Sequence, residues 1–437
     1  MKYYLPNLFS VCLLSLILFV FLFTGCRKDI PRREFTPCGS ASPQGTYALN
    51  GLDVTFTLTS SSTTIEKVEW NFGDGTGDAA ATGMTPTHTY ASIGEYTVIA
   101  TITNKCGDSE TKEIVVSLSG NPAVISSEAT NITYNQASFS LILTTNGNSA
   151  VTKYGYCYST TNTDPTIADS IYEVTGSLTS GETKTLTIPN LSSNTKYYVK
   201  AYVVNSNGTG YSDIKNVTTS VDLVTGLIAY YQLNGNTNDA SGYENNGTLP
   251  SGGSYTSGHT GTSNSALLLD GVDDYMNVPD AVSLRPSKLT VSMWFKANSL
   301  ATSMHLFQKS TIEGNSFGYN GAIKYLGTTL AMSADITEAT NCDDWITNLF
   351  TPKLTTNTWY HFVAVFDGTN SIVYLNGSPV STVSAGLLGE TCSLGAPLRF
   401  GMQWFGEWSY FFNGAFDDIR IYNTPLTQAQ VTALYNQ

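Results

Sequence analysis

Two groups of side chains in the last third of the chain could do chemistry. The first centres on Asp417. In Phe416-Asp417-Asp418-Ile419-Arg420-Ile421, residues 417, 419 and 421 share one strand parity, so the carboxylate should point the same way as the two isoleucines. An inward carboxylate is costly unless it is paired, hydrogen-bonded or bound to a metal. The second group is Gln403-Trp404-Phe405-Gly406-Glu407-Trp408-Ser409-Tyr410. Sugar rings pack their C–H faces on aromatic planes while polar neighbours hold the hydroxyls. Trp404, Trp408 and Tyr410 with Glu407 could form such a platform. The same alternation also fits rings folded back over a core. Asn341-Cys342-Asp343-Asp344-Trp345 could supply a facing wall.

Nucleophilic and metal chemistry find less support. Gly314-Asn315-Ser316-Phe317-Gly318 fits G-x-S-x-G, but that motif works only on a strand–turn–helix elbow with its own triad. The histidines 88, 259, 305 and 361 have no metal-ligand spacing, and no cysteine pair has zinc-finger spacing. His361 falls within a core-like strand and reads as a packed imidazole. No pair of carboxylates suited to glycoside hydrolysis is recognisable. The chain is therefore read as a non-enzyme.

Such side chains need a rigid frame, and composition says which kind. A length of 437 residues suggests about three domains. Charged residues make up only 13%, about half the usual share. Thr, Ser, Asn, Gly and Tyr are abundant, as in short strands joined by polar turns. The fold class expected is all-β. A net charge of −13 argues against nucleic acid as a partner.

Three modules follow along the chain. Val68-Glu69-Trp70-Asn71-Phe72-Gly73-Asp74-Gly75-Thr76 reads as a strand entering an Asp-Gly turn, with Val68, Trp70 and Phe72 facing a core. Together with His88-Thr89-Tyr90 and Gly94-Glu95-Tyr96-Thr97-Val98, it resembles a PKD domain, here placed at residues 36–118. That resemblance implies an immunoglobulin-like sandwich in which Asp74 is structural. Leu191-Ser192-Ser193-Asn194-Thr195-Lys196-Tyr197, before the strand-like Tyr198-Val199-Lys200-Ala201-Tyr202, resembles the tyrosine corner of a fibronectin type III domain. This second sandwich spans residues 121–220 and is read as a spacer.

Residues 221–437 contain Leu227-Ile228-Ala229-Tyr230-Tyr231 and Leu289-Thr290-Val291-Ser292-Met293-Trp294-Phe295. They also contain the doubly apolar run Trp359-Tyr360-His361-Phe362-Val363-Ala364-Val365-Phe366. The module closes on Phe416-Asp417-Asp418-Ile419-Arg420-Ile421 and a short helix capped by Thr427 and Gln430. In this order the segments resemble a laminin-G-like, concanavalin A-like jelly roll. The resemblance implies a structural Ca²⁺ held by Asp417 and the loop residues Asn238, Asp239 and Asn246, since hard oxygen ligands suit that ion. The alternative is that Asp417 accepts backbone hydrogen bonds at a strand end. The E-x-D-x-(x)-E pattern of glycosidases of this architecture is absent.

The modules imply two disulfides, Cys38–Cys106 and Cys342–Cys392, leaving Cys157 as a free, buried thiol. At the N-terminus, residues 8–23 are an apolar run ending in Phe23-Thr24-Gly25-Cys26. This resembles a bacterial lipoprotein signal peptide, residues 1–25, followed by a lipidated tether, residues 26–35. Cys26 would carry the lipid, and several acyl chains anchor stably. The whole is similar to surface lipoproteins of the Bacteroidetes type: two immunoglobulin-like β-sandwiches in series, then a concanavalin A-like jelly roll. The resemblance implies an outer-membrane protein, exposed at the surface or facing the periplasm, that binds a glycan or polysaccharide through the jelly roll. An adhesion protein with a protein partner is the alternative, and a glycoside hydrolase a more distant one.

Overall fold

Residue alternation is the organising signal throughout. In Asp53–Thr59, Val54, Phe56 and Leu58 are buried and the residues between them exposed, the period of a strand with one wet face. The computed structural model describes residues 39–61, 64–76, 82–311, 317–338, 341–405 and 408–437. For residues 317, 341, 343, 344, 404, 405, 408 and 409 it describes the backbone alone. The segment with Cys26, the tether and Cys38 lies outside the described residues, as do residues 314–316 of the G-x-S-x-G run and Glu407. No described helix is long and apolar enough to cross a membrane. The architecture is all-β, with one α-helix, Gln428–Tyr435, among the described residues.

The chain divides into two compact units between Ser119 and Gly120. In the first, the sheet Gln44–Asn50, Asp53–Thr59, Thr87–Thr89 and the sheet Ile65–Asn71, Gly94–Asn104, Ser109–Leu118 share one core. Val68, Trp70 and Phe72 all enter that core. Asp74 takes Thr76 N–H and hydroxyl on one oxygen and His88 Nε2 at 2.7 Å on the other. Burial opposes its ionisation, but these bonds outweigh burial and bring its pKa down to about 2. Asp74 thus serves the turn. Cys106 is disulfide-bonded.

The second unit holds a sandwich and the jelly roll, each with its own core. In the sandwich, the Tyr197 hydroxyl accepts the Ser192 N–H at 2.8 Å, closing a corner before the strand Lys196–Asn205. Cys157 is free and buried, and burial pushes its thiol up to about 11.

The jelly roll stacks an eight-stranded sheet on a six-stranded one. The strand Asn413–Tyr422 lies between Leu227–Tyr231 and Leu289–Ala297, so the module's first and last strands pair. The six-stranded sheet runs in the order Met276–Val278, Leu398–Phe400, Met304–Ser310, Phe317–Leu326, Thr329–Glu338, Asn341–Phe350. The helix is capped as expected: Thr427 accepts the Gln430 N–H and the Gln430 side chain returns the bond. Cys342 and Cys392 form a disulfide.

The parity argument for Asp417 fails at a bulge. Phe416, Ile419 and Ile421 all face the core, and alternation cannot place residues 416 and 419 on one face. Asp418, at φ +49°, takes up the extra residue, and the pairing with Leu289–Ala297 shifts between Ser292 and Trp294. A bulge reverses the facing of everything beyond it. Asp417 is therefore buried on the opposite face, paired in register with Trp294.

Candidate functional site

The six-stranded sheet carries a transverse polar row on the face away from the core. Asn277, Arg399, Gln308, Asn320, Asp335 and Thr347 stand opposite one another across six successive strands. Their strand neighbours Val278, Phe400, Phe307, Tyr319, Ala334 and Ile346 pack on the core side. Strand alternation thus turns the polar set outward. At about 4.8 Å between strands, five gaps give the row a length of roughly 24 Å.

Part of this row floors an open cleft of about 440 Å³. His305, Asn320, Lys324, Asp335 and Thr347 line it from the sheet. Ala322 pairs with both His305 and Ser333, and its small side chain adds little bulk between them. Tyr325, Trp345 and Tyr410 also line the cleft, each between 36% and 41% exposed. Each ring presents part of its surface to solvent. The Tyr325 hydroxyl donates to Leu300 O, which fixes that ring.

The floor is short of hydrogen-bond partners. Lys324 Nζ donates to Asp335 Oδ2 at 2.7 Å, and Ser333 Oγ to the same oxygen at 3.1 Å. Asp335 Oδ1, Asn320 Oδ1 and His305 Nδ1 have no protein partner, although all three residues are at least 96% buried. A buried polar atom without a partner costs about 1–3 kcal/mol. The Asp335 and Asn320 oxygens can only accept, while His305 Nδ1 accepts or donates according to its tautomer. Burial, aided by Lys324, lowers the His305 pKa to about 3, so its ring is neutral at ordinary pH.

The comparisons agree with this architecture. Residues 42–118 match the PKD domain. Residues 270–432 match the concanavalin A-like lectin/glucanases superfamily. The cleft lies within the second match. No curated protein matches the chain. Among solved structures, the chain is similar to domain 4 of AbnA, a GH43 extracellular arabinanase from Geobacillus stearothermophilus, in complex with arabinotriose. That match has 22% identity and a TM-score of 0.40, covering 48% of this chain and 98% of that one. The CBM40 of the Ruminococcus gnavus IT-sialidase, bound to α2,3-sialyllactose, matches at 13% identity and a TM-score of 0.32. It covers 39% of this chain and 96% of the other. The PKD1 domain of the Vibrio cholerae metalloprotease PrtV matches at 29% identity and a TM-score of 0.16, over 17% and 93%.

The hairpin on which the aromatic platform was expected borders this cleft through Gln403 and Tyr410. Met402–Phe405 and Trp408–Phe411 form a two-stranded hairpin in which Gln403 stands opposite Tyr410, and both line the cleft. Trp404 and Trp408 lie on the hairpin strands, with their side chains outside the described residues, as is all of Glu407. Trp345, from the suggested facing wall, shares the cleft with Tyr410. Sequence reasoning missed His305, Asn320, Lys324 and Asp335. Their polar parity was legible, but the register that aligns them was not.

The residues expected to hold Ca²⁺ form two separate networks. Asp239 accepts Tyr230 N–H and Ser241 N–H on Oδ1, and Ser241 hydroxyl and Asn245 N–H on Oδ2. Asn246 Oδ1 accepts the Asp239 N–H, and the Asn238 N–H is held by Asn236 Oδ1. Asp417 Oδ2 accepts the His259 N–H at 2.9 Å and bonds His259 Nδ1 at 2.7 Å. These donors aim positive hydrogens at both Asp239 oxygens and at one of the two Asp417 oxygens. The set does not fit the ion. The hydrogen-bonded alternative for Asp417 matches its surroundings, with the imidazole stacked 4.4 Å from Trp294.

Proposed function

We propose that this protein binds carbohydrate in the outer cleft of its jelly roll. The observation that carries the reading is the set of unpartnered, buried polar atoms of Asp335, Asn320 and His305 below exposed Tyr325, Trp345 and Tyr410. A sugar ring presents hydroxyl donors at its edge and C–H faces above and below. It therefore meets both halves of the site. Apolar ligands would leave the floor unpaired, and that penalty selects against them.

In this reading Cys26 carries the lipid, residues 26–35 are the tether, and the PKD domain with a fibronectin type III-like sandwich at 121–220 act as spacers. The jelly roll then stands away from the outer membrane, where it captures a polysaccharide. Binding rather than hydrolysis is proposed because Asp335 is the one carboxylate among the described lining residues, and it is committed to Lys324. A glycan array probed with the full chain tests the proposal, with Asp335→Ala as its control. Sugar signals that fall in the variant support it. An array silent for sugars, with capture of a surface protein instead, replaces it with the adhesion reading.

A further inference from the structure

Resting on that carbohydrate reading, we propose that the cleft is selective for neutral glycans and disfavours sugars bearing carboxylates or sulfates. Charge is balanced within the site before any ligand arrives. Lys324 is the one basic and Asp335 the one acidic side chain among the described lining residues, and they are joined at 2.7 Å. A ligand anion placed near Lys324 would therefore also lie near Asp335. It would gain the field of a dipole instead of that of a free cation.

The unfilled positions point the same way. Asp335 Oδ1 can only accept, as can the amide oxygen of Asn320. Both require a ligand group that carries hydrogen, which a hydroxyl supplies and a carboxylate or sulfate does not. The two side chains stand directly opposite on neighbouring strands, so two nearby hydroxyls of one ring suit the pair. His305 adds no positive charge, because its buried ring stays neutral through the physiological range. Beyond the cleft, the chain's net charge of −13 repels polyanions at long range.

The test is titration of the full chain with matched oligosaccharides that differ only in charge, such as oligogalacturonate and its methyl ester. A glycan array carrying both neutral and acidic members accompanies it. The expected result is neutral members binding at least about tenfold tighter than their acidic counterparts, since like-charge juxtaposition is costly. Their affinity should stay flat as salt rises, because screening acts on net charges. Asp335→Asn should reduce neutral binding about tenfold and narrow the preference, since it leaves Lys324 uncompensated. Acidic sugars binding as tightly as neutral ones, or more so, overturns the selectivity while leaving the carbohydrate reading intact. An array silent for every sugar overturns the carbohydrate reading, and the selectivity with it.

Discussion

Lys324 Nζ meets Asp335 Oδ2 at 2.7 Å although the two residues are not cross-strand partners. Asn320 stands opposite Asp335, and Lys324 is paired with Ala331. The lysine side chain therefore reaches diagonally along the sheet, and it holds one carboxylate oxygen while the other is buried without a protein partner. The environments differ sharply: the Lys324 side chain is 30% exposed and that of Asp335 2%.

That asymmetry predicts unequal costs. Lys324→Met leaves a buried carboxylate uncompensated and should destabilise the jelly roll by about 2 kcal/mol, below the about 3–5 kcal/mol of a fully buried pair because the Lys324 side chain is itself 30% exposed. Asp335→Ala leaves a lysine that can hydrate, so its stability loss should be smaller, while glycan affinity falls about tenfold. Urea denaturation of both variants, with calorimetric titration of a bound sugar, reads the two effects. Equal destabilisation would show that Asp335 is better solvated than its burial implies.

The rim should separate binding from folding. Trp345 and Tyr410 are both more than a third exposed, so Trp345→Ala and Tyr410→Ala should leave the melting temperature nearly unchanged. Each should weaken glycan binding by about 1–2 kcal/mol, the size of aromatic contributions at binding surfaces. Unchanged affinity in both variants would remove the aromatic half of the site.

Acid should act on the two units at different pH. Burial lowers both His305 and His361 to about 3 from an ordinary 6.5. The unfolded chain thus takes up these protons first. The stabilisation is complete above about pH 6.5 and shrinks as pH falls toward 3, by about 1.4 kcal/mol per unit for each ring. Asp74, lowered to about 2 from 3.8, contributes stability that is full above pH 4 and is lost as pH falls toward 2. Urea midpoints followed across pH should fall first for the jelly roll and later for the PKD domain. A flat jelly-roll profile from pH 7 to 4 would contradict neutral buried imidazoles.

How much of this was legible in the sequence depends on the range of the interaction. Period-two burial placed Val68, Trp70 and Phe72 in a core, and local turn chemistry assigned Asp74 to its turn. The Thr427–Gln430 capping box is likewise a four-residue signal. Asp417 was misplaced because parity assumes an unbroken strand, and the bulge at Asp418 is set by pairing with a strand more than a hundred residues away. The cleft floor was missed for a related reason. Asn320 and Asp335 each look like ordinary outward polar residues, and only cross-strand register makes them neighbours. The Tyr410 rim was visible because unusual aromatic density is a local property.

The disulfide should matter to binding as well as to stability. Cys342–Cys392 closes a separation of 50 residues, for which chain entropy predicts about 4 kcal/mol, with smaller values usual in practice. Cys342 also sits three residues before Trp345 on the edge strand of the six-stranded sheet. Reduction, or Cys342→Ser with Cys392→Ser, should lower the urea midpoint and weaken glycan binding together. Loss of stability with affinity intact would show that the edge strand is held by its pairing to Thr329–Glu338 alone.

His259 and Asp417 give the sharpest test of the expected cation. Asp417 Oδ2 is bonded by both the backbone N–H and the imidazole of His259, and Asp239 has two donors on each oxygen. A cation at either carboxylate would have to displace hydrogens already directed at it. Calcium added to chelator-treated protein should therefore leave the melting temperature unchanged. Asp417→Asn should lower stability by about 1–3 kcal/mol, since the amide keeps one acceptor but loses the charge-assisted bonds. That loss should be the same with calcium or with chelator present. A calcium-dependent rise in melting temperature that disappears in Asp417→Asn would instead establish the ion, with the carboxylate released from His259 to bind it.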